Sequence, residues 1–444
     1  MDMHFPHREQ NDYFRFLLLA IPAVTLIGYF VLPGWLSAGV VLLNAAGLCA
    51  LLRPSLRAQY AALLRVPQVR WMILALAAPI LAVGFVAIAH GELAERRFEG
   101  PARMFLAGAV LLAFAAHRID FSRVVARVLP VSLVICAAWV LHPGATAFYW
   151  GEAFDRAATI FMDPIVLSCH AVLFGFMVVF LLPDAGSRMK QLAMVAGAVL
   201  ALVVSLRTQS RTGWALIPLF AVLLAWGHCR GRKTNLIATL VLIALLMGAA
   251  YVLLPSVHGR VTLLLRELHD YFNGGNRDTS VGVRLSLFRT NLILIAQRPW
   301  LGWGYTVDPD ILSIPAIKAY YTPMFGDYWT MAGGHNEYLQ SLMRMGIVGL
   351  LSRLLLLFLP LVVFVGATRS GDPVRARNGF LGLFVVVAYL VTGLSQEVFN
   401  LSYSASLYAL LVSTFAAGAL PQPVLAAQAP RTAPQRGGSR AYLT

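Results

Sequence analysis

Runs of about 20 apolar residues recur along the whole chain, and no other feature limits its folding so tightly. In water such runs aggregate; in a bilayer each is long enough to cross as a helix. Inside hydrocarbon the backbone must satisfy its own hydrogen bonds, which leaves helices or closed barrels. Barrel strands alternate apolar and polar residues over about 10 positions, and these runs do not alternate. Only 12% of the 444 residues are charged and 59% are hydrophobic, whereas soluble domains carry roughly 25% charge. The expected fold is therefore all-α. It is a polytopic integral membrane protein with about twelve transmembrane helices and one large loop containing amphipathic helices.

The spans are read at 13–31, 35–52, 71–90, 102–117, 124–142, 163–183, 190–206, 212–228, 234–254, 336–366, 378–397 and 403–420. This divides the chain into helices 1–9 over residues 1–254, a loop over 255–334, helices 10–12 over 335–420, and a tail over 421–444. The tail is rich in Pro, Ala and Gln and is expected to be disordered and cytoplasmic. The polar start and the long first run argue for a retained span rather than a cleaved leader. The four cysteines lie in or beside apolar runs, so no disulfide framework is expected in the loop.

Net charge is +15. In a soluble chain that balance would suggest nucleic acid. Here every even-numbered connection is short and basic, as cytoplasmic loops are, so no nucleic-acid partner is expected. Both termini then lie in the cytoplasm and the 255–334 loop on the opposite face of the membrane. That loop holds Arg260, Arg266, Arg277, Arg284, Arg289, Arg298 and Lys318. Positive charge on the trans side breaks the rule, and binding an anion at the membrane surface is a reason to keep it.

The candidate site is built from these cations and one histidine. His335 follows Gly333-Gly334 and opens span ten with Asn336, Glu337, Tyr338 and Leu339. Its unperturbed pKa of about 6.5 suits a general base near neutrality, and Asn336 or Glu337 is placed to orient it. Arg207, Ser210 and Arg211 share the short turn between spans seven and eight, and Arg156 precedes span six. Guanidinium forks pair well with phosphate oxygens. Leu285, Phe288, Leu292 and Ile295 recur at helical spacing, predicting an amphipathic helix from Arg284 that ends at Pro299. Val261, Leu264, Leu265, Leu268 and Phe272 predict another over 258–272, lying on the membrane. Asp163-Pro164 reads as a helix cap. Arg344 and Arg353, inside span ten, must face other helices or a polar cavity. No phosphate-binding glycine loop and no metal-ligand spacing is present, so neither nucleotide nor metal cofactor is expected.

Three pieces together resemble the O-antigen ligase family of bacterial inner membranes, which shares its C-terminal pattern with O-antigen polymerases. They are Ser210-Arg211-Thr212-Gly213-Trp214, then Arg284 followed by Arg298-Pro299-Trp300-Leu301-Gly302-Trp303-Gly304, then His335-Asn336-Glu337-Tyr338-Leu339 with Gly346. The resemblance implies an inverting glycosyltransferase of the inner membrane, acting on the periplasmic side without metal or nucleotide. Its donor would be an undecaprenyl diphosphate-linked glycan and its acceptor the outer-core sugar of lipid A–core. His335 would deprotonate the acceptor hydroxyl, while Arg211 and Arg284 would stabilise the leaving diphosphate. Arg156, Arg207, Ser210, Asn336, Glu337, Arg260 and Arg266 would complete the substrate contacts. The alternatives are an O-antigen polymerase or a protein O-oligosaccharyltransferase using the same donor. A lipid-glycan transporter is disfavoured, because no internal repeat is visible and the polar residues gather at one face.

The charge pattern makes a direct prediction. In a cysteine-free background, a cysteine replacing Ser313 reacts with a membrane-impermeant thiol reagent in intact spheroplasts, and one replacing Ser370 does not. The reverse pattern would overturn the orientation.

Overall fold

A computed structural model of the protein describes residues 7–91, 95–142, 156–229, 233–305 and 309–421. The expected disordered tail lies outside the described residues apart from Pro421. Among the described residues there is no strand. The first part of the chain forms α1 (His7–Ile27), α2 (Trp35–Leu51), α3 (Pro54–Leu64), α4 (Pro67–His90), α5 (Glu99–Ala116) and α6 (Ser122–Leu141). Next come α7 (Pro164–Leu181), α8 (Arg188–Thr208), α9 (Arg211–Cys229) and α10 (Lys233–Leu253). The long connection holds α11 (Pro255–Phe272), α12 (Ser280–Gln297), α13 (Pro315–Lys318) and α14 (Pro323–Ala332). The chain closes with α15 (Glu337–Thr368), α16 (Pro373–Thr392) and α17 (Ser402–Ala419).

Each predicted span overlaps one helix, with α16 ending at Thr392 short of the expected 397, and α3 is an extra short helix. Seven helices among the described residues are long and apolar enough to cross a membrane, or up to nine if two sharply bent pairs each count as one span. Large side chains stand bare on their outer faces, such as Leu42, Ile88 and Leu245. A water-soluble surface does not tolerate that much contiguous apolar area, whereas lipid does. Inside, α7 packs on α8, α15 on α4 and α16, and α17 on α5 and α16. Buried aromatic residues such as Phe174, Phe384, Tyr389 and Tyr408 fill the centre.

Two features of the long connection shape the surface it presents. First, α11 turns about 91° from α10, and Leu265 and Phe272 remain exposed on it. This is the geometry of an amphipathic helix lying along a membrane surface. Second, α12 does not bury the expected stripe. Its inner face is Val283, Leu287 and Leu294 with Ser286, Thr290 and Asn291, while Leu292 points outward. Both stripes are apolar at helical spacing, so periodicity alone could not choose between them. The inner face meets α14 and α15; the Thr290 hydroxyl lies 2.9 Å from that of Tyr320, just after α13, and the Asn291 amide donates to Leu287 O at 2.9 Å.

The Arg298–Gly304 segment has a clear structural task. α15 breaks at Gly346, whose φ is +62°. The carbonyls freed by the break accept from this segment: Trp303 N donates to Met343 O and Gly304 N to Arg344 O, both at 2.9 Å. In return Ile347 N donates to Pro299 O at 2.9 Å. Arg298 lies 4.2 Å over the Trp303 ring. A Cβ on Gly346 would stand 2.1 Å from the Trp300 carbonyl oxygen, and its φ of +62° with ψ of −156° is a region essentially reserved for glycine, costing other residues about 1–3 kcal/mol. Gly346→Ala therefore lowers the thermal-unfolding midpoint in detergent and the folded yield. Gly248→Ala, at a position with open space around it, does not. Equal midpoints for the two variants would contradict this account of the break.

Candidate active site

The turn before α15 is held from several sides. Asn336 caps the helix, its Oδ1 accepting from Tyr338 N and Leu339 N at 3.0 Å each. Its amide donates to Leu394 O in the α16–α17 connection at 3.1 Å. Glu337 N donates to Gly393 O at 2.8 Å, and the Glu337 carboxylate accepts from Phe399 N at 3.0 Å. That carboxylate also pairs with Arg353 at 2.7 Å, with both side chains almost fully buried. The Tyr338 hydroxyl donates to Leu390 O at 2.9 Å. So the His-Asn-Glu-Tyr stretch clamps the α16–α17 connection against α15. Asn336 and Glu337, expected from the sequence to contact substrate, act here as structural clamps and are not among the residues lining the neighbouring cavity. Arg353 faces protein, as the cost of a lipid-facing charge requires.

Gly334 allows close packing. Its N–H donates to Gln340 Oε1 at 3.1 Å and to Glu397 Oε1 at 2.8 Å. A Cβ there would sit 2.6 Å from the Asn291 amide. His335 follows with φ of +49°, a region sparsely populated by residues that carry a Cβ. The residue is only 7% exposed, with Tyr328 beside it, ring centroids 5.7 Å apart. Gln396 and the Ser395 backbone stand near the ring. Neither ring nitrogen closes a hydrogen bond of good geometry among the described residues. A buried imidazole with two unmet nitrogens at a cavity wall is the kind of group that a ligand completes.

That cavity has a volume of about 780 Å³, within the range of about 300–1,000 Å³ of small-molecule sites. Its walls come from the α4–α5 connection (Arg97), the segment before α7 (Arg156), the long connection, the first turns of α15, and the α16–α17 connection. Read as twelve alternating spans, all of these belong to one side of the membrane. Arg156, Arg260, Arg284 and His335 all line it. The turn between α8 and α9 aims two of the arginines: Arg156 Nε donates to Thr208 O at 2.8 Å, and Arg260 Nε to Gln209 Oε1 at 3.0 Å. Arg284 reaches Ser280 Oγ at 3.3 Å. None of these three arginines forms an ion pair with a carboxylate among the described residues.

The electrostatics follow from that crowding. Burial, then the charges of Arg260 and Arg284, pull Arg156 down to about 10. Burial, then Arg211, lowers Arg284. His335 is pushed down to about 4, first by burial and then by Arg284. This departs from the ordinary value assumed from sequence, and it makes His335 a neutral, lone-pair-bearing imidazole throughout the physiological range. Glu397, also on the cavity wall, moves the other way, up to about 7, through burial and the nearby charge of Glu337.

Other candidates sit outside the cavity lining. Arg211 pairs with the buried carboxylate of Glu267 at 3.5 Å, close enough to influence Arg156, Arg260 and Arg284. Arg207 and Arg266 are exposed and Ser210 is buried; none of the three lines the cavity. Asp163 caps α7, accepting from Ile165 N at 2.8 Å and Val166 N at 3.2 Å. Arg97, Tyr305, Arg344 and Glu397 line the cavity and were not singled out as site residues from the sequence. Among the described residues no three His, Cys, Asp or Glu side chains gather in a metal-holding group.

Two comparisons bear on this arrangement. Over 205 residues the chain is 24% identical to an uncharacterized protein of Haemophilus influenzae. The match covers 45% of this chain and about half the length of that curated relative, 50%. Residues 196–354 match the family model described as O-Antigen ligase. That stretch contains Arg211, Arg260, Arg284, the Arg298–Gly304 segment and His335, so the chain carries a domain of the O-antigen ligase family.

Proposed function

We propose that this protein transfers a glycan from undecaprenyl diphosphate to the outer-core sugar of lipid A–core at the periplasmic face of the inner membrane. The observation that carries this reading is the cluster of Arg156, Arg260 and Arg284 on one cavity wall without carboxylate partners among the described residues. Like charges gathered in a partly buried site repel one another, and each guanidinium loses hydration. A diphosphate relieves both costs, because its oxygens accept the paired N–H groups of several guanidinium forks. Support for a lipid-linked donor comes from α11, the amphipathic helix that carries Arg260 and turns about 91° from α10, as a helix lying along a membrane surface would.

The chemistry follows from charge. As the bond from the anomeric carbon to the diphosphate oxygen breaks, negative charge grows on the leaving group. Pre-placed arginines stabilise that charge more than they stabilise the bound donor. His335, on the same cavity wall, accepts the proton of the attacking hydroxyl, which approaches from the side opposite the diphosphate and inverts the anomeric centre. The donor bond already stores the required free energy, so no nucleotide is called for. A polymerase would share this donor site and differ in its acceptor. Lipopolysaccharide from a deletion strain separates them: ligase loss leaves bare core, and polymerase loss leaves core capped by a single repeat unit.

Two variants test the assignment of roles. Arg284→Ala weakens binding of the lipid-linked donor by about tenfold or more, the equivalent of one charge-assisted hydrogen bond at about 1.5–3 kcal/mol. Lysine restores part of it. Arg289→Ala is mild, because Arg289 is exposed and lies 4.6 Å over the Tyr320 ring. His335→Ala leaves donor affinity nearly unchanged and lowers turnover by about 10²–10⁴-fold. Wild-type turnover by a folded His335→Gln protein would remove the proton-accepting role.

A further inference from the structure

An imidazole held near pKa 4 binds a proton weakly, so a proton taken from the acceptor must move on. Glu397 is a cavity carboxylate hydrogen-bonded to the backbone next to His335. Asp163 and Asp310 also line the cavity, yet each caps a helix. Glu397 instead sits in the turn between α16 and α17, with Oε1 on the Gly334 N–H immediately before His335 and Oε2 on the Asn400 amide. No cation forms an ion pair with it among the described residues.

Resting on the function proposed above, we propose that Glu397 is the group on which the acceptor's proton comes to rest. The acceptor oxygen bonds to the anomeric carbon, and the carbon–oxygen bond to the diphosphate breaks with its electron pair. The hydroxyl proton passes to His335, then to the Glu397 carboxylate, then to water at the cavity mouth. Charge is conserved at each step: the carboxylate becomes neutral as the diphosphate leaves as an anion held by the arginines. The clamp on the α16–α17 connection then has a purpose beyond packing, since Asn336, Glu337 and Tyr338 hold Glu397 beside the His335 turn.

The groups facing Glu397 set its titration. From α15 come Glu337, which raises its proton affinity, and Arg344, which lowers it. From its own connection comes Asn400, and from the turn before α15 the Gly334 amide. Arg353 neutralises part of the Glu337 charge. Arg97 and Tyr305 complete the charged and titratable groups on the wall of that cavity nearest α4 and α5. Glu397 must be ionised to accept a proton, so the rate rises with pH through about 7 and then levels.

The test uses the full chain in nanodiscs with undecaprenyl diphosphate-linked glycan and lipid A–core, reading donor affinity and turnover across pH. Glu397→Gln keeps one acceptor, for the Gly334 N–H, turns its new NH2 toward Asn400, whose amide can rotate to accept, and loses the basic carboxylate. The expected result is unchanged donor affinity, turnover lower by about 10²-fold, and loss of the limb near neutrality. Glu397→Asp keeps a limb at a displaced pH. A Glu397→Gln protein with the wild-type rate and pH profile, or a Glu397→Asp protein with an unmoved limb, would overturn this inference and leave the proposed function standing. Failure of the wild-type protein to transfer any glycan would overturn both.

Discussion

Three guanidinium groups facing one cavity, without carboxylate partners among the described residues, are the constraint around which this protein is arranged. Such a cluster is expensive wherever water is scarce. It persists because the backbone over-determines it. The turn between α8 and α9 grips Arg156 and Arg260, α12 delivers Arg284, and Glu267 absorbs the neighbouring charge of Arg211. What is left is a cationic wall for which a polyanion is the natural complement.

The rest of the cavity depends on a single helix. α15 both crosses the protein and breaks at Gly346, and the break receives the Arg298–Gly304 segment through three backbone hydrogen bonds. That anchors the end of α12, and hence the position of Arg284. At its start, α15 carries the clamp that ties the α16–α17 connection to the His335 turn. One helix thus sets the relation between the cationic wall, the imidazole and the Glu397 carboxylate. The buried Glu337–Arg353 pair locks that start in register, since removing either partner would strand a charge.

Much of this was legible in the sequence, and the limits have physical causes. Apolar runs place helices because hydrocarbon leaves few alternatives. Asp163-Pro164 announced a cap, and the apolar setting of Arg353 announced a protein-facing charge. Arg284, Arg156 and His335 could be proposed because cations and an imidazole are unusual at a trans membrane surface. Glu397 could not, because the apolar run read as span eleven reaches residue 397, and only the end of α16 at Thr392 puts this carboxylate in a turn that meets Gly334. That Arg211 pairs with Glu267 was not visible, because Glu267 lies on a helix whose direction the sequence does not give. The glycines before His335 have neighbours that leave no space for a side chain, a closeness that no local pattern announces. The low proton affinity of His335 depends on burial and on Arg284, neither of which has a local signature.

The central claim is that the arginine wall recognises a lipid-linked diphosphate. Its most direct measurement is equilibrium binding of undecaprenyl diphosphate and undecaprenyl monophosphate to the wild-type protein in nanodiscs of neutral lipid. The two ligands share one tail and differ in one phosphate. Several guanidinium forks reading both phosphates predict at least about tenfold tighter binding of the diphosphate, one further charge-assisted hydrogen bond being worth about 1.5–3 kcal/mol. Equal affinities for the two ligands would contradict the account, since they would mean that the tail alone is recognised and that the cationic wall serves some other purpose.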